Sequence, residues 1–289
     1  MTVLTVFFRI RGLESGFRRT GKAIAYHSGD IMTLGSNITF GSVSCVSVCA
    51  GRGKFRAEAF FANAPAQDLI QALDAAHLPH GKLDTPFHCL LVRIQGQNIL
   101  FDTGMSGEDL LEALSEADID AREIGIVVLS HGHLDHIGGS ILRSDAPTLP
   151  NARYYLSETD WQHYCRVQTR TGHVLKTLGS LVERFEPPID LAPGIRLLAA
   201  PGHTAGQIIG EISTGDHTLI YTADVIAHPL HITHPEWHIV SDEDPAQSTL
   251  TRHRLLAHAA DTGCLLHVYH FQDPQCRIGH TRAEYHLLG

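Results

Sequence analysis

Apolar residues fall in short runs along this chain, and the polar residues between them decide what each run becomes. Residues 38–48 are small and β-branched with partial alternation, which predicts one or two strands. Leu69, Ile70, Leu73 and Ala76 share one helical face within 64–78. HCLLVRIQGQNILFDTG, at 88–104, places two apolar strands about Gln95-Gly96-Gln97 and predicts a hairpin. Ser106, with Asp109 three residues on, reads as the N-cap of a helix whose buried face carries Leu110, Leu111 and Leu114. EIGIVVLS, at 123–130, is almost wholly apolar, as in a strand covered on both faces, and Ile137-Gly138-Gly139 opens another helical segment.

The second half repeats the alternation. Residues 152–156 predict a strand, and 158–185 predict two helices broken near Thr171-Gly172. IRLLAA, at 195–200, is a strand that runs into PGHTAGQ. IIGEIS and HTLIYTAD form a hairpin through Thr214-Gly215-Asp216. Asp244-Pro245 starts a long helix that ends before Gly263, and LLHVYH, at 265–270, is the final strand. With no Gly/Ser linker between the two sets, one domain of two sheet-plus-helix halves is the simplest arrangement. Residues 1–28 stand apart: FFRIRG reads as a strand and GFRRTGK as a basic loop. They predict an N-terminal extension, irregular or serving as a dimer arm, ahead of a domain at 29–289.

Composition narrows the class. At 289 residues the chain can bury a sizeable core, and 43% hydrophobic with 18% charged residues is ordinary for a soluble globular protein. Twenty-two basic residues against 31 acidic ones give −9, which disfavours nucleic acid as a partner. The six cysteines form no CxxC pair and read as reduced thiols, which predicts a cytoplasmic location. No apolar stretch reaches membrane-spanning length, so no membrane partner is expected.

Twenty-one histidines are many, and only spacing separates the chemical ones from the rest. SHGHLDHIGG, at 130–139, follows an apolar strand directly. His131 and His133 are two apart and point the same way in extended chain. Asp135 and His136 come where the chain turns into a helix and can aim at a second point, so one loop can serve two ions. The competing reading, polar residues beside a helix start, leaves the crowding of imidazoles without a ligand to organise it. His203 in PGHTAG, Asp224 ending YTAD and His270 ending HVYH each close another apolar strand. Singly each is ordinary; together they make four strand ends carrying metal-ligand types.

HGHLDH at 131–136, followed in order by His203, Asp224 and His270, with FDTG at 101–104, resembles the metallo-β-lactamase superfamily. The resemblance covers roughly 29–289. It implies an α/β fold, an αββα sandwich of two mixed sheets with helices on the outer faces. It also implies one ion held by His131, His133 and His203, another by Asp135, His136 and His270, and Asp224 bridging them. His267 competes with His270 for the last place; HF followed by a proline and IG favours His270. Asp135 and Asp224 are the implied catalytic carboxylates, Asp135 orienting the attacking hydroxide or carrying a proton. Asp102 reads equally as a support for the site or as a turn carboxylate. Two cations about 3.5–4 Å apart can share a water and make a bridging hydroxide near neutral pH. Zinc is the default metal for such donors, with iron, manganese or cobalt as alternatives.

Departures from several branches narrow the substrate. Asp224 disfavours true β-lactamases, His133 the diiron flavoproteins, the acidic charge the nucleases, and the short tail CRIGHTRAEYHLLG the glyoxalase-like thioesterases. LVRIQGQNILFDTGM and PGHTAGQ look most like acyl-homoserine lactone lactonases and methyl parathion hydrolase-like enzymes. That implies a hydrolase opening lactones or related carboxylic esters that are neutral or apolar. Phosphotriester or aryl ester hydrolysis, thioester hydrolysis, and metal or ligand binding without turnover are the alternatives. Homodimers, common in that branch, make a homodimer an expectation here. Val225, Ile226, Ala227 and His228 stand where those lactonases carry a tyrosine shortly after the bridging aspartate, and His228 is read as a substitute proton donor or a surface histidine. In HPLHITHPEWH, at 228–238, two prolines rule out a regular helix. His228, Trp237 and Phe271 are the expected apolar wall of the substrate pocket, with an inward-packed Trp237 as the other reading.

Overall fold

The structure is a computed structural model that describes residues 26–28, 31–34, 37–215, 217–282 and 284–288. The FFRIRG strand and the basic loop expected near the N-terminus lie outside the described residues. Nine strands form the first sheet in chain order: β1 (Tyr26–Ser28), β2 (Ile31–Leu34), β3 (Asn37–Phe40), β4 (Val43–Arg56), β5 (Lys82–Ile94), β6 (Gln97–Phe101), β7 (Ile126–Val128), β8 (Arg153–Ser157) and β9 (Val182–Phe185). Pairing is antiparallel from β1 to β6 and parallel from β6 to β9. Seven form the second: β10 (Ile189–Ala192), β11 (Ile195–Ala199), β12 (Ile208–Thr214), β13 (His217–Tyr221), β14 (Leu265–His267), β15 (Gln275–His280) and β16 (Tyr285–Leu288). Only β13 and β14 run parallel there. Both sheets are therefore mixed, and one core joins them: Phe101 of the first meets Tyr221 of the second with ring centroids 5.1 Å apart.

Eight helices complete the described chain: α1 (Ala57–Phe60), α2 (Ala66–Ala75), α3 (Gly107–Glu116), α4 (Leu134–Ile137), α5 (Glu158–Tyr164), α6 (Arg170–Leu178), α7 (Leu230–Thr233) and α8 (Pro245–Thr262). The longer ones cover the sheets, α3 against β4 and α8 against β15, which gives the αββα sandwich. The Ser106 oxygen accepts from the Asp109 N–H, and the Asp244 carboxylate caps α8 through the Gln247 N–H, with Pro245 in the first turn. Gly263 ends α8 at φ +65°, a left-handed conformation that glycine adopts without strain. No helix among the described residues is long and apolar enough to cross a membrane, and all six cysteines are free.

Several expectations needed correction. The hairpin turn is two residues, Gln95 and Gly96, both at positive φ, and Gln97 already pairs with Ile94. On α2 only Leu69 and Leu73 are buried; Ile70 and Ala76 face solvent. The break between α5 and α6 comes earlier than Thr171-Gly172, because Thr169 caps α6 through the Gly172 N–H. Residues 182–185 are strand, held by parallel pairing to β8 rather than by helical spacing. The last strands were unread: β14 stops at His267, where Val268 N–H bonds to Pro274 O, and β15 and β16 return along the sheet. A single helical turn, α7, fits between Pro229 and Pro235, since a proline ahead of the first turn removes no helical bond.

Candidate metal centre

Every expected ligand follows the carboxyl end of a strand, and the two sheets bring those ends to one edge. After β7 the chain stays buried through Ser130 and His131, with Leu129 N–H bonded to Tyr155 O. His133 opens α4 from an extended conformation, so Asp135 and His136 project from the following turn. Gly132, between His131 and His133, has no room for a side chain, because a Cβ there would run into the Tyr164 ring. His203 follows β11, Asp224 follows β13 and His270 follows β14.

These seven side chains converge. His133 Nδ1 lies 3.1 Å from His131 Nε2 and 2.9 Å from His203 Nε2. Asp224 faces both halves of the cluster with different oxygens. Its Oδ2 is 3.3 Å from His203 Nε2, while its Oδ1 is 3.2 Å from His136 Nε2 and 3.3 Å from His270 Nε2. Asp135 Oδ2 lies 3.6 Å from His270 Nε2 and 3.9 Å from His136 Nε2. The ligand atoms of His131, His133 and His203 lie within 4.8 Å of one another, and so do those of Asp135, His136 and His270. His136 Nε2 and Asp224 Oδ1 are buried without a hydrogen-bond partner, a costly arrangement for polar atoms. Imidazole nitrogens and carboxylate oxygens aimed at common points are the donors a divalent cation takes, so the residues fit the ion pair.

The other ring nitrogens are held from behind. His136 Nδ1 lies 2.7 Å from Asp102 Oδ2, and that carboxylate also accepts from the Ser130 N–H and hydroxyl and from the Tyr221 hydroxyl. Asp102 is thus a support for the site. His203 Nδ1 lies 2.7 Å from Asp242 Oδ1, and His270 Nδ1 donates to Pro86 O at 3.0 Å. Such partners fix which nitrogen faces the ion. His267 is turned away: its Nε2 lies 3.0 Å from Ser47 Oγ and its ring stacks on Tyr221. Charge follows this layout. Burial opposes ionisation of Asp224, but His136 and His270 hold its pKa well below the usual range. Burial likewise opposes the His203 cation, yet Asp224 and Asp242 raise it to about 9. Burial and the His203 ring bring His133 down to about 4.

Beside the cluster lies a cavity of ≈350 Å³, lined by Phe55, Phe60, Met105, Leu134, Ile239 and Val240 together with His133, Asp135, His203, Asp224 and His270. The apolar wall exists, but His228, Trp237 and Phe271 are not in it. Trp237 is packed inward, stacked on His234 with centroids 4.0 Å apart and set edge-on to Phe61. His228 lies against Phe60 and Phe61 and accepts from the Leu230 N–H, and Phe271 is buried in the core under α8. Arg252 of α8, fully buried, donates to the carbonyls of Val225, Pro235 and Trp237 and so holds the 225–237 segment inward.

Residues 86–262, more than half of the chain, match the metallo-beta-lactamase superfamily. The protein is a member of that superfamily. Among its relatives, metallo-beta-lactamase domain-containing protein 1 of Mus musculus is 27% identical over 163 residues, 55% of this chain and 55% of that protein. N-acyl homoserine lactonase of Bacillus sp is 24% identical over 154 residues, 45% of this chain and 59% of that protein. The chain therefore spans about half the length of the curated relatives it matches. AidC, solved as a dizinc quorum-quenching lactonase with a product bound, superposes at a TM-score of 0.82 with 23% identity, over 87% of this chain and 96% of AidC. At that identity the likeness shows the shared fold.

Within this metallo-β-lactamase fold, the motifs pointed to the seven converging residues and to Asp102, and left the remaining buried partners unread. Asp242 behind His203, and Asp160, which accepts from the Gly132 and Gly206 N–H groups, carried no spacing signal. Asp242 sits just ahead of a helix cap, and Asp160 in the first turn of α5, where an acidic residue is ordinary.

Proposed function

We propose that this protein is a hydrolase that holds two divalent ions, zinc by default, and opens lactones or related carboxylic esters with an apolar portion. The observation that carries the proposal is Asp224, whose two oxygens each face one imidazole cluster at 3.2–3.3 Å beside an apolar cavity. His131, His133 and His203 would hold one ion, Asp135, His136 and His270 the other, and Asp224 both. When bound, such ions acidify water and polarise a carbonyl oxygen.

The chain's own residues do the rest. Phe55, Phe60, Ile239 and Val240 bind an apolar acyl portion and keep bulk water off the reacting carbonyl. Asp135, whose side chain is 21% exposed and lines the same cavity, can accept a proton and return it to the leaving oxygen. Its turn is held by the Tyr269 hydroxyl, which donates to Asp135 O at 2.6 Å. The similarity to AidC, a lactonase, supports this choice of substrate class. The test is a panel of lactones, aryl esters and a phosphotriester, assayed with and without chelator. Chelator-sensitive turnover with lactones foremost is expected; no metal-dependent turnover on any member sinks the proposal, and phosphotriester turnover foremost moves the substrate class.

A further inference from the structure

A third carboxylate, apart from the ligands, joins two of the loops that carry them. Asp160 is 1% exposed and sits in the first turn of α5, where the Ser157 cap accepts its backbone N–H. Its Oδ2 accepts from the Gly132 N–H at 2.9 Å and from the Thr204 hydroxyl at 2.9 Å. Its Oδ1 accepts from the Gly206 N–H at 2.8 Å. Gly132 lies between His131 and His133, and Thr204 follows His203. One buried carboxylate therefore ties together the two loops that supply all three histidines of one ion position. Gly206 has no space for a Cβ, which would run into the Asp160 carboxylate and backbone, so the loop is drawn close against α5. The other ion position leans on different groups, Asp102 behind His136 and Pro86 O behind His270.

Resting on the two-ion reading above, we infer that Asp160 is a positioning residue for the ion of His131, His133 and His203 alone, so that the two positions can be weakened separately. The chemistry of the contact makes this sharp. Asp160 meets backbone N–H groups with both oxygens, Gly132 at one and Gly206 at the other. An asparagine has one acceptor oxygen. Placed where Oδ2 was, it keeps Gly132 and Thr204 but turns its N–H₂ on the Gly206 N–H; placed where Oδ1 was, it keeps Gly206 but turns its N–H₂ on the Gly132 N–H. Asp160→Asn keeps the volume and, in either orientation, sets an amide donor against a backbone N–H of one of the two loops.

The test is Zn²⁺ titration against a competing chromophoric chelator, in two backgrounds that each leave one position. In His270→Ala, where the three-histidine position remains, Asp160→Asn is expected to weaken Zn²⁺ binding by about ten- to a hundredfold. In His203→Ala, where the other position remains, it is expected to change nothing. Weakening in both backgrounds, in neither, or only in His203→Ala overturns the inference. Wild-type protein that takes up no Zn²⁺ overturns the two-ion reading and this inference with it, whereas normal wild-type uptake with no selectivity overturns the inference alone. Far-UV circular dichroism checks each variant's fold. If Asp160→Asn does not fold, Thr204→Val decides: it removes one of the three bonds without changing charge, and its smaller loss must appear in the His270→Ala background only.

Discussion

His136 Nδ1 sits 2.7 Å from Asp102 Oδ2, with neither side chain exposed, and the opposite nitrogen of the ring is 3.2 Å from Asp224. The imidazole is thus clamped between a supporting carboxylate and a ligand carboxylate. Asp102 also takes the Ser130 and Tyr221 hydroxyls, so its orientation is fixed by groups from both sheets. Replacing it by asparagine removes an acceptor from this crowd and frees His136 to change tautomer or tilt. Asp102→Asn is expected to lower Zn²⁺ affinity and kcat by about ten- to a hundredfold. Zinc competition and steady-state kinetics check it; affinity and kcat at wild-type values would mean that Asp102 serves only the turn.

Asp224 is the residue both clusters share. Asp224→Ala leaves three imidazole nitrogens without the carboxylate that faces them. Metal content measured on protein purified without chelator is expected to fall from two ions per chain to one or none. Turnover is expected to drop roughly a thousandfold, the rate equivalent of several kcal/mol of electrostatic stabilisation. A variant that keeps both ions and its turnover would remove Asp224 from the site.

The ligand cluster was legible because its signal is local. His131, His133, Asp135 and His136 lie in six consecutive positions, and His203, Asp224 and His270 each end a recognisable apolar run. Strands flanked by turn residues were legible for the same reason. What escaped notice depends on long-range pairing. β9 exists because it lies beside β8, β15 because β14 offers it an edge, and β16 because β15 does, with no alternation strong enough to announce them. The pocket wall failed in another way. Trp237 looks like a pocket residue by composition, but the carbonyl of that residue is held by Arg252, fifteen positions on, and the ring turns inward. Ile239 and Val240, two ordinary aliphatics nearby, take the cavity instead.

Val240 lines that cavity while remaining 69% exposed, so its side chain can be changed with little effect on the fold. Covering an isopropyl group with a substrate chain contributes about 1.5 kcal/mol, roughly tenfold in affinity. Val240→Asp is therefore expected to raise KM about tenfold for lactones with a long acyl chain. Those with the shortest chain should be nearly unaffected, and kcat should stay close to wild type. Kinetics across a series of chain lengths checks it. An equal effect at every length would place Val240 outside the acyl path.

His267, excluded from the ion cluster, is one of the buried histidines that contribute to acid sensitivity. Burial lowers its pKa from 6.5 to about 3, with the His88 ring adding to the effect. In the unfolded chain the group binds a proton below about pH 6.5; in the folded protein it stays neutral to about pH 3. Between those values the unfolded state holds more protons, so stability is fully present above 6.5 and is lost as pH falls. At pH 5 the loss from this one residue is about 2 kcal/mol, from roughly 1.4 kcal/mol per pKa unit. Buried Asp160 runs the other way, since burial raises its pKa to about 6 and the folded state then takes up a proton first as pH falls. His267→Gln, whose amide reaches the Nε2 position, keeps a polar partner for Ser47 and cannot titrate. Urea unfolding at pH 7 and pH 5 should show the variant losing about 2 kcal/mol less than wild type over that interval, at every ionic strength. Equal losses in the two proteins would mean that His267 is protonated in the folded state, and that its burial against Ser47 and Tyr221 does not hold in solution.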